Sequence, residues 1–207
     1  MKIKLIFCSI AIICNVSSPE DTSYGSIDAT KVQIPLNIDG DLEDWEHVEW
    51  HIVAEGAPFV NGNEFNILRD DGNSEPAGTA LTHADLSAIF AIQYDNEFLY
   101  FAAKVKDNVR DLNVNSGENW WFLKDAVSLF LDVPRDKDGA AWESGDHSFS
   151  FNADDNVGNW WRHGDDTGHR ELPMHSSVRS VVNQGTAGDY QIEAAIPMQL
   201  LSKYTDW

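Results

Sequence analysis

Two groups of aromatic residues stand beside polar residues in this sequence. The first group runs from Trp120 to Phe122, directly ahead of Asp125, and the second is the pair Trp160 and Trp161 in a stretch crowded with Asp, Asn, Gly and His. Aromatic rings stack on the apolar faces of sugar rings, while neighbouring polar groups bind the sugar hydroxyls. We therefore predict carbohydrate contacts from four side chains: Trp121, Phe122, Trp160 and Trp161. The alternative for each ring is a structural role, in the core or filling a loop. Adjacent residues of a strand face opposite ways, so at least one ring of each group is expected to point inward if the group lies on a strand.

Clusters of carboxylates predict a calcium site. Residues 136–139 read Asp-Lys-Asp-Gly, a pattern typical of calcium loops, although the Glu that completes an EF-hand loop does not follow. A second oxygen-rich cluster, Asp-Asp-Asn, covers residues 154–156. Because Ca2+ prefers oxygen ligands, the candidate ligands are Asp136, Asp138, Asp154 and Asp155. The alternative for each cluster is a turn whose charges are solvated.

Motifs for other kinds of chemistry are weak or absent in the sequence. The seven histidines have no zinc-binding spacing, and no serine-hydrolase, phosphate-loop or dinucleotide-binding motif is present. The many carboxylates leave a xylanase-like glycoside hydrolase, or a fragment of one, as the competing class, although no spacing singles out an acid and base pair. A haem would need an axial pair such as Met174 with His175 or His163, and this second alternative is not favoured.

Composition points to one acidic globular domain. The chain has 207 residues, of which 43% are hydrophobic, so it is long enough to bury a core. Lys and Arg total 14 while Asp and Glu total 34, which gives a net charge of -20. Because such a charge repels phosphate groups, we expect no nucleic-acid partner. Much of this charge is expected to serve solubility.

The first residues have the pattern of an export leader. Lys2 and Lys4 precede a short apolar run, Leu5 to Ile13, which is too short to span a bilayer. Either a signal peptide is removed or Cys14 becomes a lipidated first residue, so the expected location is extracellular, periplasmic or on the outer surface. Both cysteines lie in this segment, so the domain has no disulfide. The predicted organisation is a leader over residues 1–18, a flexible tether over 19–33 and one domain over 34–207.

Period-2 alternation dominates the body of the chain. From Ala126 to Val133, apolar residues occupy every second position, which predicts a strand with one face in a core. A hairpin is predicted from Ser87 to Lys106. The residues expected to meet in the core are Val127, Leu129, Leu131, Leu99, Phe101 and Val105.

Short strands continue through the rest of the body. They are predicted at His51–Ala54, His147–Asn152, Ser177–Asn183 and Tyr190–Ile196, with one short helix at Met198–Leu201. The stretch from Asn152 to Arg170 is predicted to be a polar loop. Many short strands separated by polar turns favour an all-β fold, an antiparallel β-sandwich.

Four segments together resemble the family nine carbohydrate-binding modules, a branch of the DOMON-like β-sandwiches. Residues 38–45 are similar to the family's opening motif of Asp-Gly, an acidic residue and Trp, and residues 98–107 resemble its strand that ends in Val-x-Asp. Residues 124–132 and 190–197 supply the other two matches. The order and spacing of the four segments are more specific for the fold than for an activity.

The resemblance implies a DOMON-like, immunoglobulin-like two-sheet sandwich that binds polysaccharide without chemistry and serves carbohydrate catabolism beside a hydrolase. It also implies calcium, and closing strands beyond Pro197 that this chain is then expected to lack. By the same resemblance, Phe122 matches an aromatic residue that contacts sugar. Ser128 stands where the family commonly carries a Glu that binds sugar hydroxyls, so Ser128 is the candidate contact at that position.

Overall fold

The computed structural model describes residues 2–7, 11–15, 29–53, 86–107, 110, 125–132, 147–153, 158–162, 170–186 and 188–202. These residues form twelve strands, one 3-10 helix at Leu42–Trp45 and one α-helix, α1, at Met198–Ser202. The strands are β1 Lys2–Phe7, β2 Ala11–Asn15, β3 Thr30–Lys31, β4 His51–Val53, β5 Leu86–Tyr94, β6 Phe98–Asp107, β7 Ala126–Asp132, β8 His147–Asn152, β9 Gly158–Arg162, β10 Arg170–Pro173, β11 Arg179–Gln184 and β12 Tyr190–Pro197.

Two sheets carry these strands. The first sheet has the order β10-β9-β8-β7-β1-β2, and the second has the order β11-β12-β6-β5-β3, with β4 also paired to β5. Neighbouring strands are antiparallel, apart from the short parallel pair of β3 and β5. The predicted all-β sandwich is therefore confirmed.

Alternating apolar residues from both sheets form the core between them. The predicted core residues all lie in one buried cluster: Val127, Leu129, Leu131, Leu99, Phe101 and Val105. Phe101 of the second sheet stacks on Phe151 of the first, with ring centroids 6.1 Å apart. Each large apolar side chain buried in this way contributes about 1.5–3 kcal/mol. The alternation read from the sequence thus defines which face of β6 and β7 meets the opposite sheet.

One strand of the first sheet, β9, lies in the segment predicted to be a polar loop, and β10 begins at the last residue of that segment. β9 pairs with β8 on one side and with β10 on the other. Arg162 and Arg170 occupy positions in phase with Trp160 and Leu172. Charged residues at these positions break the apolar alternation, so the period-2 signal that identified the other strands is missing from β9 and β10.

The segments predicted as leader and tether also contain strands. β1 pairs with β7, and β2 pairs with β1, so the first sheet continues into the N-terminal residues. β3 lies within the predicted tether and pairs with the end of β5. The C-terminal strand β12 lies between β11 and β6. No helix in the described ranges has the length and apolarity needed to cross a membrane.

Residues 32–50, termed the N-terminal cover, pack on the outer face of the second sheet. The buried members of the cluster formed there are Leu42, Trp45, Ala91, Tyr100, Ala102 and Ala195. Trp50 lies beside Trp45, with ring centroids 6.3 Å apart. The second sheet therefore has an apolar layer on both faces: the main core on one side and this smaller cluster on the other.

A buried carboxylate joins the N-terminal cover to β12. Oε1 of Glu193 accepts a hydrogen bond from Nε1 of Trp45 at 2.8 Å. Oε2 of the same side chain accepts from the backbone N–H groups of Asp39 and Gly40, both at 3.0 Å. Glu193 has no exposed surface. Because all three donors come from the cover, this one side chain fixes the position of the cover on the sheet.

Gly40 allows the cover to approach the sheet closely. Its φ is 85°, in the left-handed region that favours glycine. A Cβ at this position would lie 2.7 Å from Cγ1 of Val181. The carbonyl of Gly40 accepts a hydrogen bond from Nε2 of Gln191 at 2.5 Å. A larger residue at this position would push the two backbone N–H donors away from Glu193.

Burial raises the pKa of Glu193, and the charge of Asp39 adds to the rise. The hydrogen bonds from Trp45, Gly40 and Asp39 act in the opposite direction, because they stabilise the charged form. Since the folded pKa lies above the unfolded value of 4.5, the native state binds the additional proton. The contribution of Glu193 to stability is therefore complete below the unfolded pKa and declines as the pH rises through the folded pKa.

Replacing Trp45 with Phe is expected to destabilise the domain more at neutral pH than at acid pH. The change removes the indole N–H that stabilises the carboxylate of Glu193, so the folded pKa rises further. Near neutral pH, the free energy of unfolding should fall by about 1.5–3 kcal/mol beyond the loss of packing, the usual contribution of a hydrogen bond to a charged group. Urea unfolding between about pH 4 and pH 8 measures the difference.

The matched control is Trp50→Phe. Nε1 of Trp50 donates to the backbone carbonyl of Trp45 at 3.3 Å, so this variant loses an indole hydrogen bond to a neutral acceptor. Its destabilisation should not change with pH. A Trp45→Phe variant with the same loss of stability at both ends of the pH range would contradict the role assigned to Glu193.

Candidate functional site

Small polar side chains line the outer face of the first sheet. Ser128 on β7 pairs with Ser150 on β8, and Ser148 lies two residues before Ser150. These residues alternate with Leu129 and Phe149 of the core, so they lie on the face directed away from it. Ser128, Ser148, Ser150 and Asn152 are together termed the polar face, and all four are buried.

Ser128 was predicted to contact sugar, and the structure places it within the floor of the polar face. Its Oγ lies 2.7 Å from Oγ of Ser150, and neither residue has exposed surface. This hydrogen bond adds a side-chain link between the two strands to their backbone pairing. The contact between Ser128 and a sugar stays a prediction.

Ser148 differs from the other two serines in its hydrogen bonding. The residue is only 2% exposed, and its Oγ finds no hydrogen-bond partner within the described ranges. A buried hydroxyl left unpaired costs about 1–3 kcal/mol. Such a group normally bonds to an ordered water or a ligand, so Ser148 marks a place on the polar face where a hydrogen-bonding group is expected.

Trp160, one of the predicted sugar contacts, is part of the core. It is 3% exposed, and its ring stacks in parallel with those of His147 and Phe149 at 5.9 and 6.2 Å. Its Nε1 donates to Nδ1 of His147 at 3.1 Å, so that ring nitrogen is the unprotonated acceptor. With both ring faces and the N–H inside the protein, Trp160 presents no surface on which a sugar ring could stack.

Trp161 follows Trp160 on the same strand. Its backbone pairs with Ser148 on β8 and with Glu171 on β10. Because successive strand residues alternate between the two faces, the burial of Trp160 in the core assigns Trp161 to the position across from Ser148 on the other face. The register thereby pairs the backbone of one predicted aromatic contact with the backbone of Ser148.

Several predicted site residues lie outside the described residues: Trp121, Phe122, Asp136, Asp138, Asp154 and Asp155. Within the described ranges, no three His, Cys, Asp or Glu side chains are grouped so that they could hold a metal ion. The sugar contacts of Trp121 and Phe122 and the calcium ligands therefore stay predictions.

Asp95 and Glu193, two carboxylates with shifted pKa values, both stabilise the fold. Asp95 accepts hydrogen bonds at 2.7 Å from the backbone N–H groups of Glu97 and Phe98 and from the hydroxyl of Tyr100. Burial opposes ionisation of Asp95, but these hydrogen bonds outweigh it and lower its pKa. Burial, and then the bond to Asp95, raise the pKa of Tyr100 to about 12. Asp95 and Glu193 are thus engaged in a turn and in the N-terminal cover, so neither is positioned as the acid or base of a hydrolase.

Packing accounts for the positions of Met174 and His175, the residues considered for haem. The ring of His175 meets Trp160 edge to face at 5.3 Å, and its Nδ1 lies 2.7 Å from Oγ of Ser177. Met174 packs against the main core. His163, the other histidine considered for this role, lies outside the described residues.

Two comparisons with known proteins give matches. A family model for carbohydrate family 9 binding domain-like proteins matches residues 70–206. The chain is similar to a family 9 carbohydrate-binding module from Caldicellulosiruptor kristjanssonii solved with cellotriose, with 20% identity, a TM-score of 0.49, and coverage of 82% of this chain and 66% of that chain. A module of the same family and organism, solved with glucose, gives 20% identity, a TM-score of 0.49, and coverage of 83% and 68%. The chain thus spans about two thirds of the length of these solved modules. No curated protein matches the sequence.

Proposed function

The chain belongs to the carbohydrate family 9 binding domain-like family, and on this premise we propose that its domain binds neutral saccharides on the polar face without catalysing a reaction. The observation that carries the proposal is the pairing of Trp161 with Ser148. This register puts an aromatic residue at the position across from a buried hydroxyl that has no hydrogen-bond partner within the described ranges. A sugar supplies both an apolar ring face for stacking and a hydroxyl for the hydrogen bond.

The second ring of the site is proposed to come from Trp121 or Phe122. Both precede β7, the strand that carries Ser128, and a sugar held between two aromatic rings would contact β9 on one side and the segment before β7 on the other. Aromatic stacking contributes about 0.5–1.5 kcal/mol per pair beyond area burial. Two such contacts and a few hydrogen bonds predict binding in the micromolar to millimolar range, on the order of 4–8 kcal/mol.

A neutral ligand suits the charge of the protein. With a net charge of -20, most of the surface repels anionic ligands. We infer that the module recognises polysaccharide during its breakdown and that any cleavage of glycosidic bonds belongs to an associated domain. The isolated chain should therefore bind oligosaccharide without releasing reducing sugar, and release of reducing sugar would favour the hydrolase alternative instead.

Replacing Trp161 with Ala is expected to weaken saccharide binding without unfolding the domain. Loss of one stacking face should raise Kd about tenfold or more, which corresponds to 1.4 kcal/mol. Titration calorimetry with cellotriose and glucose, the sugars bound by the similar solved modules, provides the measurement. The melting temperature of the variant should stay close to that of the parent protein, because the buried ring of Trp160 is left in place.

The neighbouring change Trp160→Ala supplies the contrast. It removes a buried ring from the stack with His147 and Phe149, so the free energy of unfolding should fall by about 3–5 kcal/mol. If Trp161→Ala instead destabilises the domain to this extent, or leaves the Kd unchanged, the assignment of Trp161 to the binding face is wrong.

We also propose that calcium binds at Asp136 and Asp138, with Asp154 and Asp155 as a second cluster. The support is the Asp-Lys-Asp-Gly pattern and the density of carboxylates around it. Calcium at about 100 times its Kd should add about 2.7 kcal/mol to the free energy of unfolding, because it binds only the native state. Thermal melts with EDTA and with excess calcium measure this difference, and Asp138→Asn should remove most of it. Identical melting curves in EDTA and calcium would exclude the site.

Export is proposed from the pattern of the first residues. Lys2 and Lys4, followed by the apolar run to Ile13, have the charge and length of a signal peptide. Mass spectrometry of the protein from the culture medium and membranes of a bacterial host should find a new N-terminus near residue 19 or a lipid on Cys14. In the structure the same segment forms β1 and β2, so an exported protein that keeps residues 2–15 would contradict the cleavage and retain both strands.

A further inference from the structure

A groove of about 730 Å3 lies on the outer face of the second sheet, at the end that the N-terminal cover leaves open. Lys104 and Lys106 of β6, Ile89 of β5, and Asn183 and Gln191 of the β11–β12 pair are among the residues that line it. On β6, the positions before these lysines on the same face are Tyr100 and Ala102, which are buried under the cover. The same sheet face thus changes from an apolar, covered half to a cationic, open half. We term the open half the lysine groove.

The two lysines are the cations of the groove lining. Both side chains are exposed, and neither has an ion-pair partner in the part of the chain that the structure describes. Lying two residues apart on one strand face, their Cα atoms are roughly 7 Å apart. In a chain with a net charge of -20, two exposed lysines on one strand face are a local reversal of the overall charge.

Lys104 is held in place by an aromatic ring. Its Nζ lies 4.5 Å from the ring centroid of Trp50, within the range of a cation–π contact. Trp50 is itself fixed through Nε1, which donates to the carbonyl of Trp45. This arrangement orients one ammonium group at the boundary between the cover and the groove. Because the lysine side chain is already ordered, less conformational entropy is lost when a ligand binds it.

The amide side chains of the groove are also oriented. Gln191 and Asn183 both donate to the carbonyl of Gly40, at 2.5 and 3.5 Å. Asp189 is the acidic residue of the lining, and its Oδ1 accepts from the backbone N–H of Asp107 at 3.0 Å. The groove therefore combines two cations, one carboxylate that already accepts a backbone hydrogen bond, fixed amide groups that suit hydroxyls, and the apolar side chain of Ile89.

We propose that the lysine groove binds a carboxylated saccharide, as a second site distinct from the polar face. A sugar with carboxylate groups offers anions for Lys104 and Lys106 and hydroxyls for the amides, and its ring presents apolar C–H groups to Ile89. The volume of the groove lies within the range of about 300–1,000 Å3 that is usual for small-ligand sites. Repulsion from the rest of the acidic surface is screened beyond about 8 Å at physiological ionic strength, so the nearby lysines dominate the local interaction.

Titration calorimetry with an oligogalacturonate trimer at about 0.15 M salt tests this inference. The parent protein should bind the trimer, and a Lys104→Gln, Lys106→Gln double variant should bind it at least tenfold more weakly. Lys31→Gln is the matched control, because Lys31 is an exposed lysine on β3 that donates to Asn96 outside the groove. Its affinity for the trimer should equal that of the parent, and all three proteins should melt at similar temperatures.

Further ligands separate this site from the polar face. The lysine double variant should keep its affinity for cellotriose, whereas Trp161→Ala should keep its affinity for oligogalacturonate. Failure of cellotriose binding alone would overturn the proposed function and leave the lysine groove standing. The groove proposal is overturned if the trimer does not bind, if the double variant and Lys31→Gln bind it equally, or if acetate competes with it at equal molar concentration.

Discussion

The buried carboxylate of Glu193 is the interaction on which the arrangement of this domain depends. Three hydrogen-bond donors from the N-terminal cover converge on it, and each comes from the segment of Asp39, Gly40 and Trp45. A buried carboxylate is costly unless donors surround it, and a donor left without its acceptor is costly as well. The carboxylate and the cover therefore require each other. Because Glu193 lies on β12 in the middle of the second sheet, the cover is fixed relative to the whole sandwich.

This anchoring divides the surface of the sandwich into regions with different chemistry. Where the cover packs, the outer face of the second sheet is apolar and closed, and where the cover ends, Lys104 and Lys106 lie open. The first sheet has the polar face on the side opposite the core, and the serines of that face are buried. Gly40 connects the covered half of the second sheet to the groove. Its backbone N–H donates to Glu193, and its carbonyl accepts from the Gln191 amide that lines the groove.

The adjacent tryptophans show how far residue type predicts a binding role. Trp160 and Trp161 have the same chemistry and nearly the same sequence surroundings, and both were predicted to contact sugar. Pairing of β9 with β8 places Trp160 opposite Phe149 in the core, where His147 satisfies its indole N–H. A shift of the register by one residue would exchange the two rings. Only the pairing of the strands therefore decides that Trp160 is the ring buried in the core.

The sequence by itself determined the strands with apolar alternation, the core residues of β6 and β7, the short helix α1 and the family, because these depend on local periodicity and local motifs. It did not reveal β9 and β10, whose arginines interrupt the alternation. The tertiary structure alone decided that Glu193 meets Trp45 across 148 positions of sequence, and that Lys104 lies beside Gln191 in one groove. Such contacts join residues that are distant in the chain, and no local pattern encodes which distant groups will share a face.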